Sequence, residues 1–415
     1  MKILKLSPYF PPEQVSSTHL TDDLNQAFAD SGILQENFVP MPTRGVSDSV
    51  RAQYKNRKYE ELYDGALIVH RFLMFREGKN SIQRAFRYGL VNVIQYFMGI
   101  KAKKIDIVYS SSTPPTQGLL CGKVAKKLSK KRGKHVPFIY CLQDVFPDSL
   151  VSTGMTSKGS LIWKIGRKIE NKTYQYADRI IVISDDIRNN IIEKGVPDNK
   201  IIVIPNWVDT DVVFPINKNE NGLFSELHIP KDKFTIVYAG NLGYAQGIDT
   251  LLDAASVLKD NHDIQFVIFG SGNNQEKYQL ICQQLKNVLL FPLMPPDRIA
   301  EVYSMGDLCL VACRKGTGKG AVPSKTFSIM ASGSPVLLSF DRDTELWNII
   351  NQNNCGLCSD AEDINGLVKN ILYALEHKDS ITVMGENARS LVEKKYSKQH
   401  GTCAYINLFE QVLAK

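Results

Sequence analysis

No stretch of this 415-residue chain approaches the ~18 consecutive apolar residues that a membrane-spanning helix needs. The best candidate, residues 89–100, is short and carries Asn92 and Gln95. The opening MKILKLSPYF has too short an apolar run for a secretory leader and no small-residue cleavage site, so a first buried strand is expected there. Cysteine is sparse. The eight residues sit mostly in apolar patterns such as LCLVAC at 308–313, which excludes a disulfide framework and points to a reducing cytoplasm. Cys355 and Cys358 form one CxxC with no second pair or histidines at ligand spacing, so no zinc ribbon is expected. A P-loop is excluded as well: in the loop 314–320, RKGTGKG, Gly320 follows Lys319 where Ser or Thr is required, and Cys313 occupies the place of the first glycine. Short-period repeats and low-complexity tracts are absent.

What remains is a hydrophobic content of 43% and a charged content of 22%, ordinary for a globular protein, over a length that calls for two domains. Short apolar runs rich in β-branched residues alternate with longer amphipathic ones. Strands are expected at 2–6, 67–72, 107–110, 138–142, 180–183 and 201–204, and again at 234–239, 265–269, 288–291, 308–312 and 336–338. Apolar throughout, they suit strands buried on both faces of parallel sheets. The pattern predicts an α/β protein with two Rossmann-like, doubly wound domains facing across a cleft. The expected divisions are 1–210, 211–395 and a C-terminal helix at 396–415 packing back toward the first domain. The segment from Pro205 to about Lys231, rich in Pro, Asn and Asp, reads as the linker.

The net charge of +7 is unevenly placed. Eight basic residues and one acid lie between Arg71 and Lys104, and seven basic residues with no acid between Lys123 and Lys134. Such a face implies an anionic partner. No nucleic-acid recognition motif accompanies it, and the stretch 84–104 mixes Phe86, Tyr88, Tyr96 and Phe97 with cations as membrane-surface helices do, so an anionic membrane surface is the expected partner. An ordinary core-facing helix with a solvated basic face is the alternative.

The most informative segment is 320–339, GAVPSKTFSIMASGSPVLLS. Pro323 is placed to begin a helix, because its missing N–H is not needed at the first position. Lys325 then falls in the first turn, where a cation opposes the helix dipole unless an anion intervenes. A phosphate or diphosphate site is therefore expected at Pro323, Ser324 and Lys325. Gly240 and Asn241 end one expected strand, Gly270, Ser271 and Gly272 end the next, and their backbones are expected to approach the same ligand. In the first half, the loop from Ser7 to Thr18 offers Glu13, Gln14, Ser16 and Ser17, and Gln143 and Asp144 end the strand 138–142. An acid at a strand's carboxyl end in such a fold is a functional candidate, with a helix cap or an exposed carboxylate as the alternative. Two DxD triplets, 209–211 and 341–343, are weak metal candidates; the second is expected to cap the helix holding Glu345.

The order and spacing of FPPEQ (10–14), ADRIIVIS (177–184), KIIVIPNWVD (200–209), YAGNLGYAQGIDTLLDAA (238–255), VIFGSG (267–272) and VPSKTFSIMASGSPVLLS (322–339) resemble the family 4 glycosyltransferases over nearly the whole chain. QDVFPDS at 143–149 and the PSK element resemble the fucosyl- and N-acetylfucosaminyl-type transferases of O-antigen, capsule and colanic-acid synthesis. The resemblance implies the two-domain GT-B arrangement, a UDP- or GDP-linked sugar as co-substrate, transfer with retention, and no metal or other cofactor. It also implies a donor site of Gly240, Asn241, Gln246, Gly270, Ser271, Gly272, Leu293, Pro323, Ser324, Lys325 and Ser328. An acceptor site of Glu13, Gln14, Ser16, Ser17 and Gln143 follows, with Asp144 and Lys325 catalytic. Many relatives carry Arg and Lys where this chain has Asn241 and Gln246, two glutamates where it has Gly320 and Ser328, and a histidine near Gln143 and Asp144. Lys325 is thus expected to carry more of the phosphate charge, with Arg314 or Lys319 as helpers. The expected acceptor is a lipid-linked saccharide on the inner face of the cell membrane. A nucleotide-sugar 2-epimerase, which would consume donor without acceptor, and an inactive nucleotide-sugar-binding partner are the rival expectations.

Overall fold

The computed structural model describes residues 1–13, 18–78, 80–152, 154–320 and 322–414. The chain forms two compact units, 1–205 with 402–415, and 206–401. The segment 206–231 is not a free linker. Val208, Val213, Leu223, Phe224 and Ile229 are buried in the core of the second unit, because its scattered apolar residues find partners there despite the surrounding Asn and Asp. The last helix, Lys398–Leu413, starts in the second unit and carries Tyr405 and Phe409 into the core of the first.

Unit 1 is an eight-stranded sheet. In chain order its strands are β1 (Lys2–Leu6), β2 (Leu34–Pro40), β3 (Tyr59–Leu62), β4 (Leu67–Phe72), β5 (Ile107–Ser111), β6 (Phe138–Leu142), β7 (Arg179–Val182) and β8 (Ile201–Val203). Their spatial order is 3-4-2-1-5-6-7-8, with only the edge pair β3/β4 antiparallel. The direction of winding reverses between β1 and β5. β2 has no apolar signature in its sequence, LQENFVP, yet Gln35 and Asn37 are buried. For Gln35 the reason is a buried cation: Lys5 on β1 donates to Gln35 Oε1 and to Asn25 Oδ1, both at 2.6 Å. Burial pushes the Lys5 pKa down to about 7.

Unit 2 is a six-stranded, wholly parallel sheet of β9 (Phe234–Asn241), β10 (Ile264–Ser271), β11 (Val288–Phe291), β12 (Leu308–Ala312), β13 (Val336–Phe340) and β14 (Gly356–Asp360). The spatial order is 11-10-9-12-13-14, so the winding reverses between β9 and β12. Successive residues of β9 enter opposite cores: Val237 and Ala239 pack on one face, Ile236 and Tyr238 on the other. Burial of Val237 and of Ile236 contributes roughly 1.5–3 kcal/mol each by leaving water. Ligands of open parallel sheets bind at the strands' carboxyl ends where the winding reverses. That rule singles out the ends of β1 and β5 in unit 1 and of β9 and β12 in unit 2.

Candidate active site

In unit 2, the β9–β10 register sets Gly240 beside Gly270 and Asn241 beside Ser271. The two turns are therefore neighbours at one sheet edge. Leu242 is fully buried between them, and its amide donates to Ser271 O at 2.8 Å. A Cβ on Gly270 would lie 2.6 Å from the Leu242 side chain. Gly270 is thus required for packing of the two turns and is itself buried, whereas the sequence suggested a backbone open to ligand. Ser271, Gly272 and Asn241 are exposed at the same edge, as is Leu293 after β11; Gln246 is half-buried in the short helical turn Tyr244–Gln246.

The helix expected to begin at Pro323 begins at Lys325 and ends at Ala331. Pro323 and Ser324 form a tighter preceding turn, in which the Thr326 amide donates to Pro323 O and the Phe327 amide to Ser324 O. Seven residues make a helix only about 10 Å long, so its dipole adds little. The ammonium of Lys325 is the dominant charge. It stands 3.9 Å from the centre of the Tyr238 ring, and a Cβ on Gly240 would come within 2.7 Å of Lys325 Nζ. Gly240, at φ +145°, therefore has two reasons to lack a side chain. Burial alone lowers the Lys325 pKa to about 7, with no carboxylate opposing it. Ser328, one turn further along, is half-buried.

Tyr238 escapes sequence analysis because an aromatic residue inside an apolar strand reads as core. Its hydroxyl donates to Asn241 O at 2.8 Å, so one side chain both supports the ammonium and fixes the end of β9. Of the candidate helpers, Arg314 has partners of its own. The Arg314 guanidinium lies 3.7 Å from the Tyr244 ring centre, and 3.6 Å from Glu362 Oε1, while Lys319 is exposed.

The DxD triplets have other occupations. Asp341 accepts from the Gly316 and Gly318 amides at 2.9 and 2.8 Å, shaping the glycine-rich loop, and it is Thr344 that caps the helix starting at Glu345. This corrects the expectation that the triplet itself caps that helix. Asp209 pairs with Lys398 at 2.9 Å and accepts from the Asp211 amide. No group of three metal-ligating side chains occurs among the described residues.

In unit 1, Glu13 is not an acceptor contact. It is buried, and its Oε1 accepts from the Thr43 and Arg44 amides at 2.7 and 2.9 Å, while Oε2 takes the Phe10 amide at 3.3 Å. It ties the turn after β1 to the loop after β2. Gln14, Ser16 and Ser17 lie outside the described residues. Gln143 and Asp144 do sit at the carboxyl end of β6, held by a residue that sequence analysis missed. The buried Ser112, just past β5, accepts from both of their amides at 3.1 and 3.3 Å. Asp144 is exposed as a residue, while the protein around its carboxyl group raises its pKa, opposed by hydrogen bonds from Ser149 and the Val145 amide.

The model for "Glycosyl transferases group 1" matches residues 220–391, and that for "Glycosyltransferase Family 4" matches 45–212. This chain belongs to the family 4 glycosyltransferases. It is 26% identical over 403 residues to the putative colanic acid biosynthesis glycosyl transferase WcaI of Escherichia coli K12, covering 95% of this chain and 97% of that one. The GT-B fold is shared with the sucrose-phosphate synthase of Thermosynechococcus elongatus (TM-score 0.76, 16% identity, 100% and 99% of the two chains). Anabaena HepE in complex with UDP has the same fold (TM-score 0.73, 13% identity, 99% and 100%). The glycosyltransferase thus carries Lys325, which no carboxylate accompanies among the described residues, at the winding reversal of the domain matched by the group 1 model.

Proposed function

We propose that this glycosyltransferase moves a sugar from a nucleoside-diphosphate donor to a lipid-linked saccharide acceptor in surface-polysaccharide synthesis, with retention and without a metal. One observation carries the proposal: among the described residues no carboxylate accompanies Lys325, whose Nζ stands over the Tyr238 ring close to Gly240, at the sheet edge where Asn241, Ser271 and Gly272 are exposed. HepE binds UDP on the same fold, and the WcaI relative is assigned to colanic acid biosynthesis, which supports both the donor class and the pathway class.

In the proposed reaction the C1–O bond to the leaving diphosphate breaks and a bond from C1 to the acceptor hydroxyl oxygen forms. Negative charge grows on the leaving phosphate, where a preplaced ammonium and backbone N–H donors are worth most. Among the described residues no carboxylate accompanies Lys325, and the proposed route uses no covalent nucleophile. The acceptor hydroxyl therefore attacks from the face the diphosphate leaves, and its proton passes to the departing phosphate. Asp144 orients that hydroxyl. The charge-poor positions Asn241, Gln246, Gly320 and Ser328 leave Lys325 as the principal cation for the phosphate. The enzyme works at the inner face of the membrane, where its acceptor resides; no described helix is long and apolar enough to cross it.

The test is kinetic. Lys325→Ala is expected to lower turnover by about 10²–10³, the range for loss of one preplaced charge-stabilising donor. Lys325→Arg should recover part of it. Near-normal turnover in folded Lys325→Ala would refute the assignment.

A further inference from the structure

We propose that unit 1 seats on an anionic lipid surface through a two-limbed apolar rim, the second limb of which lies outside the basic stretch 84–104. The inference rests on the lipid-linked acceptor proposed above and names the surface by which the enzyme reaches it.

The first limb is the outer ridge of helix Ser81–Gly99. Phe86, Leu90, Val93 and Phe97 are all exposed, Phe86 by 68% and Phe97 by 56%. Their spacing of four, three and four residues confines them to about 60° of the helix surface. An amphipathic helix that served only its own core would turn such a ridge inward. Here the inward face is mixed: Val91 is buried beside Arg87 and Gln95, and Gln95 donates to Ser7 O and Phe38 O. The ridge is left for something else.

The second limb is helix Leu161–Tyr176 and the turn before it. Leu161 is 73% exposed, Ile162 58%, and Ile165 and Met155 are also exposed.

Helix Gln117–Arg132 lies between the limbs. Gly122 approaches it to Tyr176 so closely that a Cβ would lie 2.5 Å away, and Val124 faces Gly99 on the other side. Its solvent face carries exposed Lys123, Lys126, Lys127 and Lys130. The three helices together contain one acid, Glu170, and it is buried. Two apolar ridges flanking a row of lysines, with no exposed carboxylate, match an anionic lipid surface. A protein partner would call for mixed charge, whereas headgroups supply one sign and acyl chains accept the ridges. The three helices follow or precede parallel strands, so all start at the sheet edge where β5 and β6 end. Phe86, Leu161 and Ile162 thus lie toward the edge that holds Ser112 and Asp144, where a lipid-borne acceptor must arrive.

The test is flotation of the full chain with vesicles of phosphatidylcholine containing phosphatidylglycerol, and with phosphatidylcholine alone. Emission of Trp163, partly exposed beside Ile162, is recorded in parallel. The protein should float with the anionic vesicles at low salt, release as salt is raised, and ignore the neutral ones. Trp163 emission should shift to the blue. The pairs Ile162→Asp/Ile165→Asp and Leu90→Asp/Val93→Asp should each weaken flotation by about tenfold or more, since each removes at least 1.4 kcal/mol of apolar contact. UDP affinity is measured on every preparation to certify the fold. Retained UDP binding with no flotation of the unaltered protein overturns the proposal and spares the donor site. Flotation without nucleotide binding does the reverse. Equal binding to neutral vesicles, or unimpaired flotation of Ile162→Asp/Ile165→Asp, overturns the two-limbed surface. So does sedimentation showing that the same pair dissolves a dimer of a protein that does not float.

Discussion

The Lys325 ammonium rests 3.9 Å from the centre of the Tyr238 ring, and that ring's hydroxyl holds the carbonyl of Asn241, the last residue of β9. A cation supported by an aromatic face and, among the described residues, by no carboxylate is poised for an incoming anion. Its pKa of about 7 in the free protein makes it responsive to one.

Nucleotide affinity should therefore depend on pH with a definite sign. A bound diphosphate favours the ammonium and raises its pKa. Below pH 7 the group is already charged and affinity is full; above pH 7 binding must take up a proton, and affinity falls by up to about tenfold per pH unit. Calorimetry with UDP between pH 7.5 and 9, in buffers of different ionisation enthalpy, should show uptake approaching one proton. These pH values lie above the phosphate's own pKa of about 6, so the ligand does not titrate. Lys325→Arg should abolish the uptake.

Gly240→Ala should damage the donor site without opening the fold. The new methyl would stand 2.7 Å from Lys325 Nζ at a backbone φ of +145°. Displacing the ammonium should cost at least about 1.4 kcal/mol, or tenfold in UDP affinity. A titration giving unaltered affinity would mean that Lys325 does not touch the nucleotide.

Much of this architecture was legible beforehand. Strands such as FTIVYA and LCLVA announce themselves because both faces are buried, whereas the point of winding reversal shows only in the spatial order of the strands. β2 was not legible, because Gln35 and Asn37 look like surface, and Gln35 makes sense inside only once the buried Lys5 is known. Glu13 was misjudged for a related reason. A carboxylate in a loop after β1 resembles a ligand contact, but three backbone amides consume it. Lys325 was singled out by its position after Pro323. Its partner Tyr238 was not, since sequence gives no sign that a cation far along the chain lies over a strand residue's ring.

Glu13→Ala should accordingly be a stability variant. Losing hydrogen bonds to a charged acceptor, with the Thr43 and Arg44 amides left unpaired, should cost about 2–3 kcal/mol. Denaturant unfolding should report it, while the acceptor KM of the folded fraction stays unchanged. A raised acceptor KM at unchanged stability would return Glu13 to the acceptor site.

Chelation should leave activity intact. The Asp341 carboxylate is occupied by the Gly316 and Gly318 amides, and Asp209 by Lys398. Turnover in excess EDTA should match that with added Mg²⁺ or Mn²⁺. Asp341→Ala should instead loosen residues 314–320, seen as faster amide exchange at Gly316 and Gly318. Loss of activity on chelation, restored by metal, would contradict metal-free transfer.

The most direct measurement is a crystal structure of the protein with bound UDP or GDP. A phosphate oxygen within hydrogen-bond distance of Lys325 Nζ, beside the backbone at Gly240 and Asn241, is the result this mechanism requires. A diphosphate bound elsewhere in the second unit, with the Lys325–Tyr238 pair undisturbed, would contradict it.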